Sequence, residues 1–122
     1  MMVLVDTSVW VRHLRHTEPE LVKLLQDGKV ACHPFIIGEL ACGNLGNRAE
    51  IISLMHELPM LDVVENEELL VFIENNQIMG TGIGFVDVHL MAAAFLADIT
   101  IWTYDKKLQQ NCATLRINYF RH

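Results

Sequence analysis

Apolar residues occur along this chain in two different spacings. Short unbroken runs, such as 2–5 and 99–103, are typical of strands buried on both faces of a sheet. Elsewhere apolar residues recur every three or four positions, which is the spacing of a helix with one face against a core. The pattern predicts strands at 2–5, 30–32, 60–64, 99–103 and 115–119, and helices at 9–15, 18–26, 34–43, 48–58, 67–75, 85–97 and 105–111.

Strands that alternate with helices in this way indicate an α/β fold. Parallel strands need crossover connections, and helices in those connections cover both faces of the sheet. We therefore predict a mostly parallel sheet of about five strands. A length of 122 residues fits a single domain over residues 1–122, and no repeat or linker interrupts the chain.

Composition indicates a globular protein of the cytoplasm. Hydrophobic residues make up 52% and charged residues 20% of the chain. No apolar run is long enough to span a bilayer, and the N-terminus lacks the features of a signal peptide, so we expect no membrane association. Cys32, Cys42 and Cys112 form no CxxC motif, and we expect all three to be reduced and buried.

The net charge of −6 argues against a general coat for the phosphate backbone of nucleic acids, which is usually basic. A metal site changes this argument. Four acids in one such site would leave the rest of the chain close to neutral, and bound divalent ions would reverse part of the local field.

Two carboxylates are predicted at the carboxyl ends of strands. Asp6 ends the first strand, and Asp105 follows the strand at 99–103. Ligands of open α/β sheets bind beyond these ends. An aspartate there is also a good helix N-cap, and this remains an alternative for Asp6.

Two further acids lie in apolar surroundings. Glu39 occurs mid-helix in IIGELAC, where burial of its charge is costly without compensation, unless the side chain points to solvent. Asp87 is the only acid in GFVDVHLMAAAFLA. A role in stabilising the first helical turn explains an acid at this position, but not its apolar surroundings.

Four neighbouring carboxylates would repel one another and have raised pKa values unless a cation joined them. Hard oxygen ligands favour Mg²⁺ or Mn²⁺ over zinc. Such ions bridge carboxylates to phosphates and activate water, which fits phosphodiester hydrolysis. The hypothesis requires the four acids to converge, and the spacing of apolar residues does not show that.

Four segments, VDTSVW, GEL, GIGFVDVHLMAAA and WTYDKKL, resemble in order the motif blocks of PIN domains, and most closely those of VapC-type toxins. The resemblance implies a three-layer α/β/α sandwich. It also implies that the catalytic, metal-binding acids are Asp6, Glu39, Asp87 and Asp105. Supporting hydroxyls beside the metal are then Ser8 and Thr103.

The same resemblance implies an activity and partners. The activity would be Mg²⁺-dependent endonucleolytic hydrolysis of RNA, with Mn²⁺ as a substitute, leaving a 3′-hydroxyl and a 5′-phosphate. VapC-like proteins usually form homodimers and are inhibited by a cognate antitoxin, so both partners are expected.

Few basic residues are available to bind RNA. Arg12 lies one helical turn after Ser8, and Lys106 and Lys107 directly follow Asp105. We expect these three to contact phosphates that flank the cleaved bond, with ordinary solvated charge as the alternative.

Other classes of protein share some of these features. A receiver domain needs an acidic pair after its first strand, and a haloacid-dehalogenase-like phosphatase needs Asp-x-Asp. This chain has Asp-Thr-Ser at that place. The remaining alternative is a PIN-like interaction protein without catalysis.

Overall fold

A computed structural model describes residues 1–119 of the chain. All seven predicted helices are present, with ends that differ from prediction by up to three residues. The elements are β1 (Val3–Val5), α1 (Thr7–Arg15), α2 (Pro19–Gln26), β2 (Val30–Ala31), α3 (Pro34–Cys42), α4 (Arg48–Met55), α5 (Asn66–Asn75), α6 (Phe85–Ala97), β3 (Thr100–Trp102) and α7 (Lys106–Thr114).

The sheet is parallel and has the strand order β2-β1-β3. Central β1 is almost completely buried, with each residue exposed by 1% or less. Its register places Val5 opposite Trp102 and Leu4 opposite Ala31. All three strands therefore end at the same edge, and helices flank the sheet in an α/β/α arrangement.

The prediction of about five strands was wrong within residues 1–119. The segments at 60–64 and 115–119 each pair with the sheet at one residue, through a bridge from Cys32 to Met60 and a bridge from Ile101 to Asn118. Both bridges are parallel and extend the sheet on its two sides.

Prolines explain why the bridge at Met60 does not lengthen. Cys32 donates to Pro59 O and its own carbonyl accepts from Leu61 N. The next bonds of a parallel ladder would need N–H donors from residues 59 and 34, and both are prolines. At the other bridge, the N–H of Ile117 donates instead to Cys112 at the end of α7.

Helix α6 is the most deeply buried helix, as its apolar sequence predicted. Seven consecutive residues, from Val88 to Ala94, are buried, so the helix has almost no solvent face in its middle. It ends at Asp98, which adopts a left-handed conformation with φ of 56°. This turn returns the chain to β3, where Ile99 N donates to Ala94 O.

One of the three cysteines predicted to be buried is exposed. Cys32 and Cys112 are free and buried, but Cys42 is free and exposed at the end of α3. No helix in the described part of the chain has the length and apolarity needed to cross a membrane.

His33 is a fully buried histidine at the start of α3. Its Nδ1 accepts a hydrogen bond of 3.0 Å from Phe35 N, which caps the helix. Its Nε2 is buried and has no partner among the described residues. Burial, with a contribution from His89, lowers the pKa of His33 from 6.5 to about 4.

We predict that His33 makes the fold sensitive to acid. A depressed folded-state pKa contributes stability above pH 6.5 that is lost as the pH falls toward about 4. The loss should be on the order of 3 kcal/mol. His33→Asn keeps a capping acceptor, so it should flatten the dependence of the unfolding free energy on pH, measured by urea denaturation across this range.

The matched control is His56→Asn, because His56 is exposed at the end of α4. It should retain the pH dependence of the wild-type protein. An equally steep dependence in His33→Asn would show that other groups cause the acid sensitivity.

Candidate active site

Asp6 lies at the carboxyl end of β1 and is 5% exposed. Its N–H donates to Trp102 O of the neighbouring strand. Its Oδ2 accepts hydrogen bonds from Ser8 Oγ at 2.8 Å and Thr103 Oγ1 at 2.7 Å. The side chain makes no capping bond to α1, so the helix-cap alternative does not account for this carboxylate.

The two hydroxyls that hold Asp6 are themselves fixed by the backbone. Tyr104 N donates to Ser8 Oγ and Asp105 N donates to Thr103 Oγ1, both at 3.0 Å. The two hydroxyl oxygens are 3.2 Å apart. The segment after β1 is thereby tied to the segment after β3, and Asp6 Oδ1 remains outside this network.

Asp105 is the N-cap of α7. Its Oδ1 accepts from Leu108 N at 2.9 Å, so one carboxylate oxygen stabilises the helix. The residue is exposed, and Oδ2 takes no part in the cap. The capping bond orients the carboxylate.

Glu39 is exposed on α3, yet its side chain is held in place. Thr7 Oγ1 donates to Glu39 Oε1 at 2.6 Å. Thr7 was not among the site residues predicted from the sequence. The available signal was its position between Asp6 and Ser8 in the first motif segment.

Asp87 lies in the first turn of α6 and is half-buried. Burial, and after it the charges of Asp6, Asp105 and Glu39 in that order, together raise the pKa of its carboxyl from 3.8 to about 6. It accepts no side-chain hydrogen bond that the structure records among residues 1–119. The four predicted acids therefore interact electrostatically around Asp87.

The buried thiol of Cys112 interacts electrostatically with two of these acids, Asp6 and Asp87. Burial raises the pKa of Cys112 on α7 from 9.0 to about 12, with contributions from Asp6 and then Asp87. The thiol therefore stays protonated. It packs as a small apolar residue beside the acids.

Within residues 1–119, no three histidine, cysteine, aspartate or glutamate side chains are arranged to hold a metal ion. The donor set nevertheless fits Mg²⁺. This ion usually keeps several waters and needs only one or two protein carboxylates together with substrate phosphates. Asp6, Glu39 and Asp105 each have one oxygen in a recorded hydrogen bond, which orients them and leaves the second oxygen for a cation.

The predicted RNA-contacting residues lie on α1 and in the first turn of α7. Lys106 is exposed in the first turn of α7. Lys107 packs over the loop that leads to α6, where its Nζ is 3.2 Å from the position of a Cβ on Gly82. Arg12 lies on α1, with its Nε 3.6 Å from Glu18 Oε1.

Comparison with known proteins identifies the family. A profile of the PIN domain matches residues 3–113. The chain belongs to the PIN-domain family. It is 40% identical, over 92% of its length and 91% of theirs, to Ribonuclease VapC32 from two strains of Mycobacterium tuberculosis. Membership of the PIN-domain family excludes the receiver-domain and phosphatase alternatives.

Solved structures show the same PIN-domain fold. The crystal structure of PAE2754 from Pyrobaculum aerophilum matches with a TM-score of 0.64 and 17% identity, over 93% of this chain and 81% of that one. FitAB, in its complex with the IR36 DNA fragment, matches with a TM-score of 0.62 and 17% identity, over 99% of both chains. At this identity the similarity shows the fold alone.

We predict that Asp87→Asn stabilises the metal-free PIN domain above neutral pH. A raised folded-state pKa contributes stability below pH 3.8 that is lost as the pH rises through about 6. Removal of the charge should raise the unfolding free energy at about pH 8 by about 1–2 kcal/mol, after solvent screening. This gain in unfolding free energy should disappear near pH 4. Urea denaturation in the presence of EDTA measures the unfolding free energy at both pH values.

Asp62→Asn is the matched control, because Asp62 is exposed in a loop. It should change stability little at either pH. If Asp87→Asn is no more stable than this control at about pH 8, the repulsion among the four acids is negligible.

Proposed function

We propose that this PIN-domain protein is a Mg²⁺-dependent endoribonuclease and the toxin of a toxin–antitoxin pair. The observation that carries the proposal is the hydrogen-bond network in which Ser8 and Thr103 hold Asp6 Oδ2 next to Asp105. The charges of Asp6, Asp105 and Glu39 also act on Asp87. Asp6 and Asp105 directly follow β1 and β3, at the sheet edge where α/β folds bind ligands, and Glu39 is hydrogen-bonded to Thr7 beside Asp6. The 40% identity to proteins named Ribonuclease VapC32 supports RNA as the substrate.

The four acids would hold the ion and position the substrate. When bound, Mg²⁺ supplies an acidified water and offsets negative charge on the phosphate. Asp6 is the most rigid of the four, because two hydroxyls hold its Oδ2. Glu39 and Asp105 are each oriented by one donor. No hydrogen-bond donor to the Asp87 carboxylate is recorded within residues 1–119. A bound cation would therefore stabilise the charge of Asp87 more than the charges of the other three acids.

The remaining parts of the proposal concern partners and location. A cognate antitoxin would inhibit the enzyme, and a basic side chain of that antitoxin would complement the acidic cluster. We also propose a homodimer that acts in the cytoplasm. The similarity to proteins named Ribonuclease VapC32 supports the proposed antitoxin, dimer and location.

Metal binding should stabilise the folded protein. At a Mn²⁺ concentration about 100-fold above its dissociation constant, binding only to the folded state adds about 2.7 kcal/mol. For a chain of this length that amounts to several degrees of melting temperature. Asp6→Asn should remove this increase, because Asp6 is the most deeply buried of the acids.

Differential scanning fluorimetry of the wild type and Asp6→Asn, with and without Mn²⁺, makes this measurement. Asp27→Asn is the control, since Asp27 is an exposed residue at the end of α2. A metal response in Asp6→Asn equal to that of the control would show that the site is wrongly assigned.

The reaction is best tested in cells, where every RNA is available as a substrate. We would induce the wild type, Asp6→Asn/Asp87→Asn and the control Asp27→Asn/Asp62→Asn, without antitoxin, and map new RNA ends that carry a 5′-phosphate. The wild type and the control should produce ends at a few sites and arrest growth, and the active-site variant should do neither.

Identical end maps for all three proteins, at equal soluble expression, would refute the ribonuclease proposal. That result would favour the alternative of a PIN-like interaction protein without catalysis.

A further inference from the structure

A concave surface with three basic side chains lies beside the acidic cluster. It has a volume of about 420 Å³. We call it the α1 pocket, and its lining residues are Ser8, Val11, Arg12, Arg15, His16 and Tyr104. The sequence predicted a phosphate contact for Arg12, but not for Arg15, His16 or Tyr104, which form the rest of the polar lining with Ser8.

The α1 pocket is continuous with the acidic cluster. Ser8, Arg12 and His16 are spaced by four residues, so they follow one another along one face of α1 and its C-cap. Ser8 is also a hydrogen-bond donor to Asp6. With a rise of 1.5 Å per residue, Arg12 lies about 6 Å further along the helix than Ser8. A ligand at the acids can therefore extend directly into the pocket.

Arg12 is held in place before any ligand binds. Its guanidinium carbon is 5.0 Å from the centre of the Tyr104 ring, and its Nε is 3.6 Å from Glu18 Oε1. Tyr104 OH donates to the same Glu18 carboxylate, and Tyr104 N donates to Ser8. The contact with Glu18 is made by Nε, and the terminal nitrogens have no recorded hydrogen bond within residues 1–119. Their donors can therefore make a planar, bidentate contact with an anion.

The positive charge of the α1 pocket is only partly compensated. Glu18 is 7% exposed and is the only acid in an ion pair with these basic residues in residues 1–119. Arg15 and His16 are exposed and make no recorded ion pair in the same range. In a chain of net charge −6, this is a local excess of positive charge directly beside four acids.

We propose that the α1 pocket binds the RNA phosphate next to the scissile phosphate. Arg12 makes the fixed contact, and Arg15 and His16 add contacts at the outer end. The proposal rests on the proposed ribonuclease function, because the acids and their metal ion would take the scissile phosphate. An RNA strand repeats its phosphate at every nucleotide, so one strand supplies an anion to both places.

Salt-dependent RNA binding tests the proposal. The probe is a short fluorescein-labelled single-stranded RNA of random sequence, and the parent protein is Asp6→Asn/Asp87→Asn, which should not cut it. Fluorescence anisotropy gives the dissociation constant over a series of NaCl concentrations. Arg12→Gln/Arg15→Gln should weaken binding about tenfold and reduce the salt slope by about 0.7 for each phosphate that the variant no longer binds.

The control pair is Lys29→Gln/Arg116→Gln. Both residues are exposed and precede sheet-pairing segments, so they lie toward the amino ends of the strands, opposite the acids. The control removes the same charge and should leave the salt slope unchanged. An equal loss in both pairs, or no RNA binding by the parent protein, would overturn the proposal.

A second probe distinguishes RNA from an acidic protein partner. If Arg12→Gln/Arg15→Gln weakens binding of a polyglutamate peptide but not of RNA, the pocket serves a protein and the proposal is wrong.

Whether the protein is a ribonuclease is decided separately, by the mapped RNA ends. A wild type that cuts nothing in cells, with the expected binding differences intact, would refute the nuclease and retain the phosphate contact.

Discussion

The parallel pairing of β1 with β3 is the constraint on which the candidate site depends. Because Val5 lies opposite Trp102, the residues that follow the two strands lie side by side at one sheet edge. The hydroxyl of Thr103 thereby reaches Asp6, although 97 positions separate them. A register shift of one residue would turn each side chain to the other face of the sheet and separate them. Burial of β1 on both faces opposes such a shift.

This arrangement brings like charges together at a cost in stability. Asp6, Glu39 and Asp105 each accept a hydrogen bond that orients the carboxylate. Asp87 has no recorded donor, and the pKa of its carboxyl is raised by burial and by the other three. Local stability is reduced at the place where a cation would restore it. Such departures from the most stable arrangement are typical of functional sites.

The few basic residues near the acids lie on two helices, α1 and α7. Lys107 packs against Gly82 in the loop before α6, and Arg12 is held by Tyr104 and Glu18 on α1. The chain as a whole is acidic, so it lacks the extended basic surface of a general nucleic-acid binder. Under the proposed function, a few fixed cations and one metal site would define where the phosphates of a bound strand lie.

The sequence by itself determined the α/β class and the seven helices found in residues 1–119, because periodicity and buried β-branched runs are local properties, and its motif order singled out four candidate acids. Only the tertiary structure decided the number of paired strands: prolines and a helix end reduce two predicted strands to single bridges, since ladder bonds need a free donor from each partner. The bond from Thr7 to Glu39, the contact of Arg12 with Tyr104 and the exposure of Cys42 were equally unpredictable. Each depends on how distant elements cross, and that geometry is set by register and packing together.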